Sequence, residues 1–414
     1  MTTTLASTPG LEDRPAHRDP NVLRWLGAYA SSAVGDNVYY IALSWAAVQA
    51  GTPTQAGLVT AISAVPRALL MLGGGVVVDR YGPRPVVLGG SAVRCLLVVI
   101  AAVLLLATRP GLWALGAVAV LFGVVDAVFL PAAGALPARI AGRGQLARVQ
   151  GMRGLATRLA NVFGGPLGGL GVAFGGTAGA FGLAALLIGV SLPLLWVVRV
   201  GSLPPDDDGV RGAVLAELRD GLRHIGQDRV LRPLVLAMAI VDLGFVGPMN
   251  LGLTLLAQER GWGSSGMGWM VAGFGTGAGA ASLLLTLRGR VPRAGLVLAL
   301  AELGGSVAIA GLGLVPSVAT ATAVALLIGL LAGLGGALSG ALTMARADPA
   351  YVGRVIAVST LVGFGVAPLT FPLVGAAVGR WGAGPVFVAC AAIWALGALL
   401  ALCSGPLRRA ELPR

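Results

Sequence analysis

The 414-residue chain contains no lysine, only two histidines and three cysteines, and charged side chains make up 11% of it. A soluble domain carries about 25% charged residues, so this shortage excludes an ordinary water-soluble fold. Cys95, Cys390 and Cys403 all fall inside apolar runs, which excludes a disulfide framework or a thiol-based metal site. His17 and His224 both lie outside those runs, no Cys or Ser nucleophile stands beside a base, and no metal-ligand spacing occurs. An enzyme is therefore not expected, and neither is a metal or other cofactor. Residues 1–20 have no apolar core and cannot serve as a cleaved signal peptide. A short disordered cytoplasmic tail is expected there.

What is abundant is apolar. Hydrophobic residues are 56% of the chain, mean hydropathy is +0.87, and there are 65 glycines, the small side chains that let membrane helices approach closely. With roughly 20 apolar residues needed per crossing, twelve segments are found, near 22–48, 55–78, 86–107, 112–135, 150–172, 177–199, 231–256, 263–287, 294–314, 317–342, 355–378 and 383–404. The net charge of +12 does not indicate nucleic acid, because the arginines sit in short loops. Alternate loops hold Arg80 and Arg84, then Arg139, Arg143 and Arg148, then Arg288, Arg290 and Arg293, then Arg346 and Arg354, whereas the opposite loops hold Arg109, Arg260 and Arg380. The positive-inside rule places the arginine-rich loops and both termini in the cytoplasm. A multi-pass protein of the cell membrane follows.

The longest loop, 200–230, opens with Leu203-Pro204-Pro205-Asp206-Asp207-Asp208 and is the natural boundary between two bundles, 21–199 and 231–405, with 406–414 as a cytoplasmic tail. Within it Leu215, Leu218, Leu222 and Ile225 share one helical face, the pattern of a helix lying in the membrane interface. His224 is given no role. Asp36 and Asp242, Arg84 and Arg290, Arg148 and Arg354, Pro166 and Pro372, and Gly169 and Gly375 are each 206 residues apart. Such pairs predict two repeated six-helix bundles rocking about a midplane site.

The second apolar run ends in Gly75-Val76-Val77-Val78-Asp79-Arg80-Tyr81-Gly82-Pro83, followed by Arg84. This stretch resembles the loop signature of the major facilitator superfamily of secondary transporters, and the resemblance covers residues 22–404. Glycines such as Gly75 and Gly82 permit close helix approach and a sharp turn, and the resemblance implies that Asp79, Arg80 and Arg84 latch the two halves together on the cytoplasmic side. Phe129-Leu130-Pro131-Ala132, Leu136-Pro137-Ala138-Arg139-Ile140, Gln145-Leu146-Ala147-Arg148 and Val352-Gly353-Arg354-Val355 are similar to the proton-coupled drug exporters, the branch that includes macrolide efflux proteins and the enterobactin exporter. Three departures stand out. Pro83 takes a place usually basic, the fourth segment lacks a membrane arginine, and the run Gly165-Pro166-Leu167-Gly168-Gly169 is one residue shorter than the antiporter signature. That run reads either as a kinked, closely packed helix or as a coupling element.

Ionisable residues within the apolar runs carry the remaining chemistry, since each costs about 2.5–3.5 kcal/mol at a helix centre. At about 1.5 Å rise per residue, Asp36 and Arg67 lie at similar depth, so a pair between them is geometrically allowed. Arg94, Asp126, Arg158, Asp242 and Glu302 complete a mid-membrane layer. The resemblance implies that Asp36, Asp126 and Asp242 face the central cavity and that Arg94 and Glu302, on outer helices, are structural. The alternative for each acid is a fixed pair. Trp45, Tyr39, Tyr40, Phe129, Phe245 and Met249 with Asn37 and Asn250 suit an amphipathic organic molecule. An all-α integral membrane protein of twelve transmembrane helices, in two pseudo-symmetric bundles, is therefore expected. It should act as a monomeric efflux pump exchanging a small-molecule substrate for protons. An importer and a non-transporting sensor remain as alternatives.

Overall fold

The computed structural model describes residues 15–108, 111–141, 145–201, 214–288, 291–348 and 351–412, and no strand occurs among them. The chain runs through α1 (Pro20–Ala50), α2 (Pro53–Tyr81), α3 (Pro83–Ala107), α4 (Leu112–Ala135), the short α5 (Pro137–Ile140), α6 (Leu146–Val197) and the loop helix α7 (Val214–Gln227). It continues as α8 (Leu231–Gly247), a π-helical turn (Pro248–Gly252), α9 (Leu253–Glu259), α10 (Gly263–Arg288), α11 (Ala294–Leu312), α12 (Val318–Arg346), α13 (Val352–Trp381), α14 (Ala383–Cys403) and α15 (Gly405–Arg408). Among the described residues nine helical stretches are long and apolar enough to cross a membrane, and α1 and α2 are not among the nine. The stretch Arg148–Val197 is one of the nine, although its 50 residues exceed the roughly 20 that one crossing needs. It bends at Gly176, where φ is +63°, and so forms two legs.

Local chemistry explains where the helices start. The Asp19 side chain accepts a hydrogen bond from the Asn21 N–H at the head of α1, and Thr52 and Gln55 form a reciprocal capping box at the head of α2. Gly82 adopts φ +81° and Pro83 then opens α3. The proline that departs from the loop signature thus occupies the first helical position, where its missing N–H is not needed.

The halves of the sequence are joined mainly by two helix pairs, the first leg of α6 on α10 and α13 on α2, with α1 touching α9 beside them. These pairs correspond under the 206-residue repeat, and so do the turns at Gly176 and Gly382, both with positive φ. Inside each half the core is aromatic and aliphatic, with Tyr39, Phe122 and Phe181 buried in one and Phe387 and Trp394 in the other. Outside, Leu106, Trp113 and Phe174 are 77%, 90% and 89% exposed. Apolar surface of this extent is suited to acyl chains rather than water.

The interfacial helix expected in the central loop packs against protein along one edge. Ile225 is buried with Val355 and Val358, the His224 ring stacks on Tyr351 at 4.7 Å, and Asp220 pairs with Arg354 at 3.7 Å. Leu222 remains exposed, and Leu215 and Leu218 are not described at side-chain level. Of the expected N-terminal tail, residues 1–14 lie outside the described residues, and Ala16 beyond them is buried. At the other end Leu407 is buried and the Gly295 N–H donates to the Ala410 carbonyl at 3.1 Å.

Candidate functional site

The N-terminal half holds a chain of polar groups whose inner members, Arg94 and Asp126, are buried. Arg94, on α3, has no solvent exposure and pairs with Asp36 of α1 on one side, while its Nε lies 3.4 Å from Asp126 of α4 on the other. The second Asp126 oxygen accepts a hydrogen bond from the Tyr40 hydroxyl at 2.9 Å, and that hydroxyl accepts one from Arg67 of α2 at 3.1 Å. The Arg94 guanidinium also lies over the Phe129 and Phe122 rings, at 4.1 and 5.1 Å from their centroids. Two acids and two arginines are balanced here, which is the condition for holding such charge away from water.

This arrangement corrects several expectations. Asp36 is paired with Arg94 rather than Arg67, which is the fixed-pair alternative for that acid, and Arg94 stands at the centre of the network. Its long side chain reaches from α3 between α1 and α4. Asp126 is 4% exposed and sits behind Tyr40 rather than on an open wall.

A cavity of about 330 Å³ lies beside the network and between the two halves. Tyr40, Arg67, Asn37, Asn161, Asn250 and Met249 contribute to its wall, with Phe245, Phe274 and Phe371. Asn37 donates to Asn161 at 3.1 Å, joining α1 to α6. The π-helical turn carries Met249 and Asn250, and the extra residue in such a turn re-aims its side chains. Asp36, Asp126 and Asp242 do not line this cavity; Arg67 is the charged residue that does, among its described lining. Tyr39, Trp45 and Phe129, expected as cavity aromatics, are core residues: Tyr39 stacks on Phe122 at 3.9 Å, and Phe129 lies under Arg94. Asp242 lines a second cavity, of about 320 Å³, between α8, α12 and α13. Glu302 is buried and accepts from the Trp394 indole N–H at 2.7 Å.

Of the loop-signature residues, Arg80 and Arg84 make their described side-chain contacts within their own half. Arg84 donates to the Trp196 carbonyl at 2.7 Å, where the end of α6 leaves acceptors unpaired, and Arg80 lies over the Tyr81 ring. The side chain of Asp79 lies outside the described residues. Close helix approach is made by Gly74, against the backbone of Ala127, whereas Gly75 faces open space. In the other motif, Gly165 meets Val271, Gly168 meets Ile41, and Gly169 meets Ser264 and Gly268. The helix continues through Pro166. These contacts are close packing, across the junction of the halves at Gly165 and Gly169 and within the N-terminal half at Gly168.

Contacts between the halves cluster toward the arginine-poor end. Gly57 abuts Phe371, Gly375 abuts Pro53, Gly169 abuts Gly268, and the Thr254 hydroxyl lies 3.4 Å from that of Ser44. Toward the arginine-rich end Gly151 and Gly154 on α6, and Gly336 and Gly340 on α12, have no atom within 4 Å of where a Cβ would stand apart from their own helix backbone.

Asn161 is a cavity residue that the sequence reading missed, whereas Arg94 was placed in the mid-membrane layer and read as structural. The one signal for Arg94 was its charge within an apolar run. Asn161 had none.

Known proteins give a consistent picture. The sequence model described as Major Facilitator Superfamily matches residues 25–368. The enterobactin exporter EntS of Shigella boydii serotype 18 (strain CDC 3083-94 / BS512) is 27% identical over 267 residues, covering 63% of this chain and 62% of that protein's length. Among solved structures, the nucleoside transporter NupG (D323A mutant) superposes with a TM-score of 0.73 at 11% identity, covering 93% of this chain and all of that one. An auto-inhibited peptide transporter of the POT family gives 0.73 at 14% identity, covering 95% and 98%. A bacterial homologue of the human lysosomal transporter Spinster, inward-facing and occupied, gives 0.69 at 16% identity, again covering 95% and 98%. These likenesses concern the fold.

Proposed function

Because the chain belongs to the Major Facilitator Superfamily, we propose that this transporter is a proton-coupled exporter of small amphipathic organic compounds. We read twelve crossings in two bundles, 21–199 and 231–405, counting α1, α2 and both legs of α6. The arginine-rich loops and both termini are placed on the cytoplasmic side of the cell membrane, and the monomer is taken as the working unit.

The observation that carries the reading is the cavity between the halves, because its wall mixes aromatic and thioether surface with a few amides, hydroxyls and Arg67. That mixture suits a ligand with an apolar body and sparse polar groups. The name of the relative EntS supports export. Contacts concentrated at the arginine-poor end support a resting state open toward the arginine-rich end.

The polar network supplies a coupling device on this reading. With Asp36 and Asp126 ionised, their charges balance those of Arg94 and Arg67. A proton delivered to either acid leaves a net positive charge in a buried setting, which is costly until the groups rearrange. Loss of the Asp126 charge also weakens the acceptor of the Tyr40 hydroxyl, and Tyr40 contacts Arg67 on the cavity wall. Proton arrival at the network is thereby transmitted to the substrate cavity.

The test is accumulation of amphipathic antibiotics and dyes in cells lacking their own pumps, with and without this protein, before and after collapse of the proton gradient. Reduced accumulation that disappears with the gradient is the expected result. No change across the panel, with membrane expression confirmed, overturns the broad exporter reading. Asp36→Asn should abolish gradient-driven transport and retain membrane insertion; normal transport by that variant removes Asp36 from the coupling device.

A further inference from the structure

The two halves treat their membrane carboxylates differently. Asp36 and Asp126 share Arg94. In the C-terminal half, Asp242 on α8 and Glu302 on α11 have no arginine within ion-pair distance among the described residues. Glu302 is turned inward, onto the Trp394 indole. Asp242 instead stands half-buried on the wall of the second cavity.

That wall has a definite chemistry. Ser359 contributes a buried hydroxyl oxygen with no hydrogen-bond partner, whereas the Thr343 hydroxyl is already committed to the Ser339 carbonyl at 2.8 Å. Met238 and Met344 add polarizable thioethers. At about 320 Å³ the space falls at the small end of ligand pockets, which run about 300–1,000 Å³. A desolvated carboxylate without a counter-ion is costly, and so is a buried hydroxyl without a partner. One ligand group relieves both: a cationic nitrogen carrying N–H donors. A bare metal ion fits less well, since hard cations call for six or more oxygen ligands and much of this wall is aliphatic or thioether.

We propose that the second cavity binds the protonated amine of an amphipathic compound, with Asp242 as its counter-ion and the Ser359 hydroxyl as acceptor of a further N–H. This adds a substrate class to the exporter reading and rests on that reading for the claim that the bound amine is carried across the membrane.

The experiment uses the full-length protein in lipid nanodiscs, titrated with dansylcadaverine, a fluorescent primary amine, and with its N-acetyl derivative as the neutral counterpart. Empty nanodiscs supply the correction for partition into lipid. The wild type should bind the amine at least tenfold more tightly than the neutral compound. In Asp242→Asn the ratio should fall to near one, in Asp242→Glu it should be largely kept, and Ser359→Ala should weaken the amine alone by about two- to fivefold. Equal binding of both probes by the wild type overturns the proposal, as does a preference that survives in folded Asp242→Asn. Should Asp242→Asn not fold, the wild-type ratio and the Ser359→Ala titration decide: a Ser359→Ala variant that leaves amine binding unchanged counts against the site. A retained amine preference without any gradient-driven export would sink the exporter reading alone. Export that ignores the charge of its substrate would sink the amine site alone.

Discussion

Arg94 has no exposure to solvent, and what it touches explains how a full charge is kept inside an apolar bundle. Its neighbours are Asp36, Asp126 and two aromatic rings. Removing one member of a buried pair costs about 3–5 kcal/mol, because the partner's charge is left uncompensated. Arg94→Gln should therefore lower stability by about that amount, and adding Asp126→Asn should recover part of it. Thermal unfolding of the detergent-solubilised protein, followed by tryptophan fluorescence, gives the comparison. Tyr40→Phe keeps the ring and removes the hydroxyl standing between Arg67 and Asp126. Its stability cost should be small, about 0.5–1.5 kcal/mol, while transport turnover falls at unchanged expression. A variant with normal turnover would show that Tyr40 is not the link between network and cavity.

Helices meet across the junction of the halves where side chains are smallest. A Cβ on Gly268 would stand 3.0 Å from the Gly165 carbonyl oxygen and 3.1 Å from the Gly169 Cα. Backbone cannot yield as a flexible side chain can. Gly268→Val should thus push α10 from the first leg of α6 and favour the state open at the arginine-poor end. Distances between spin labels on the two halves at that end should lengthen; an unchanged distribution would mean that the packing there does not set the conformational balance. The helix α7 belongs to this scale as well. Through Ile225, His224 and Asp220 it is attached to the start of α13, so displacements of α13 are felt in the central loop.

For the molecule as a whole, the proposed transport by alternating access requires that the arginine-poor end open during each cycle. The Ser44 and Thr254 hydroxyls lie 3.4 Å apart across the halves. In a background with Cys95, Cys390 and Cys403 replaced, Ser44→Cys with Thr254→Cys should form a disulfide under oxidation. Transport should stop and return on reduction. Undiminished transport by the fully cross-linked protein would show that the halves need not separate there.

How much of this was legible in the sequence differs with the kind of information needed. Composition, run lengths and the 206-residue spacing determined an all-helical, repeated membrane protein, because water is excluded from the bilayer and backbone groups must then pair within helices. The same spacing relates Gly176 to Gly382 and the α6–α10 junction to the α2–α13 junction. Depth was also readable, since rise per residue is constant, and it placed Asp36, Arg67, Arg94 and Asp126 in one layer. Azimuth was not. Which way each side chain points depends on how a helix is rotated against its neighbours, and residues far apart in sequence settle that together. Only the tertiary structure could decide that Arg94 takes both Asp36 and Asp126, that Tyr40 stands between Asp126 and the central cavity, and that Asp242 faces a cavity of its own.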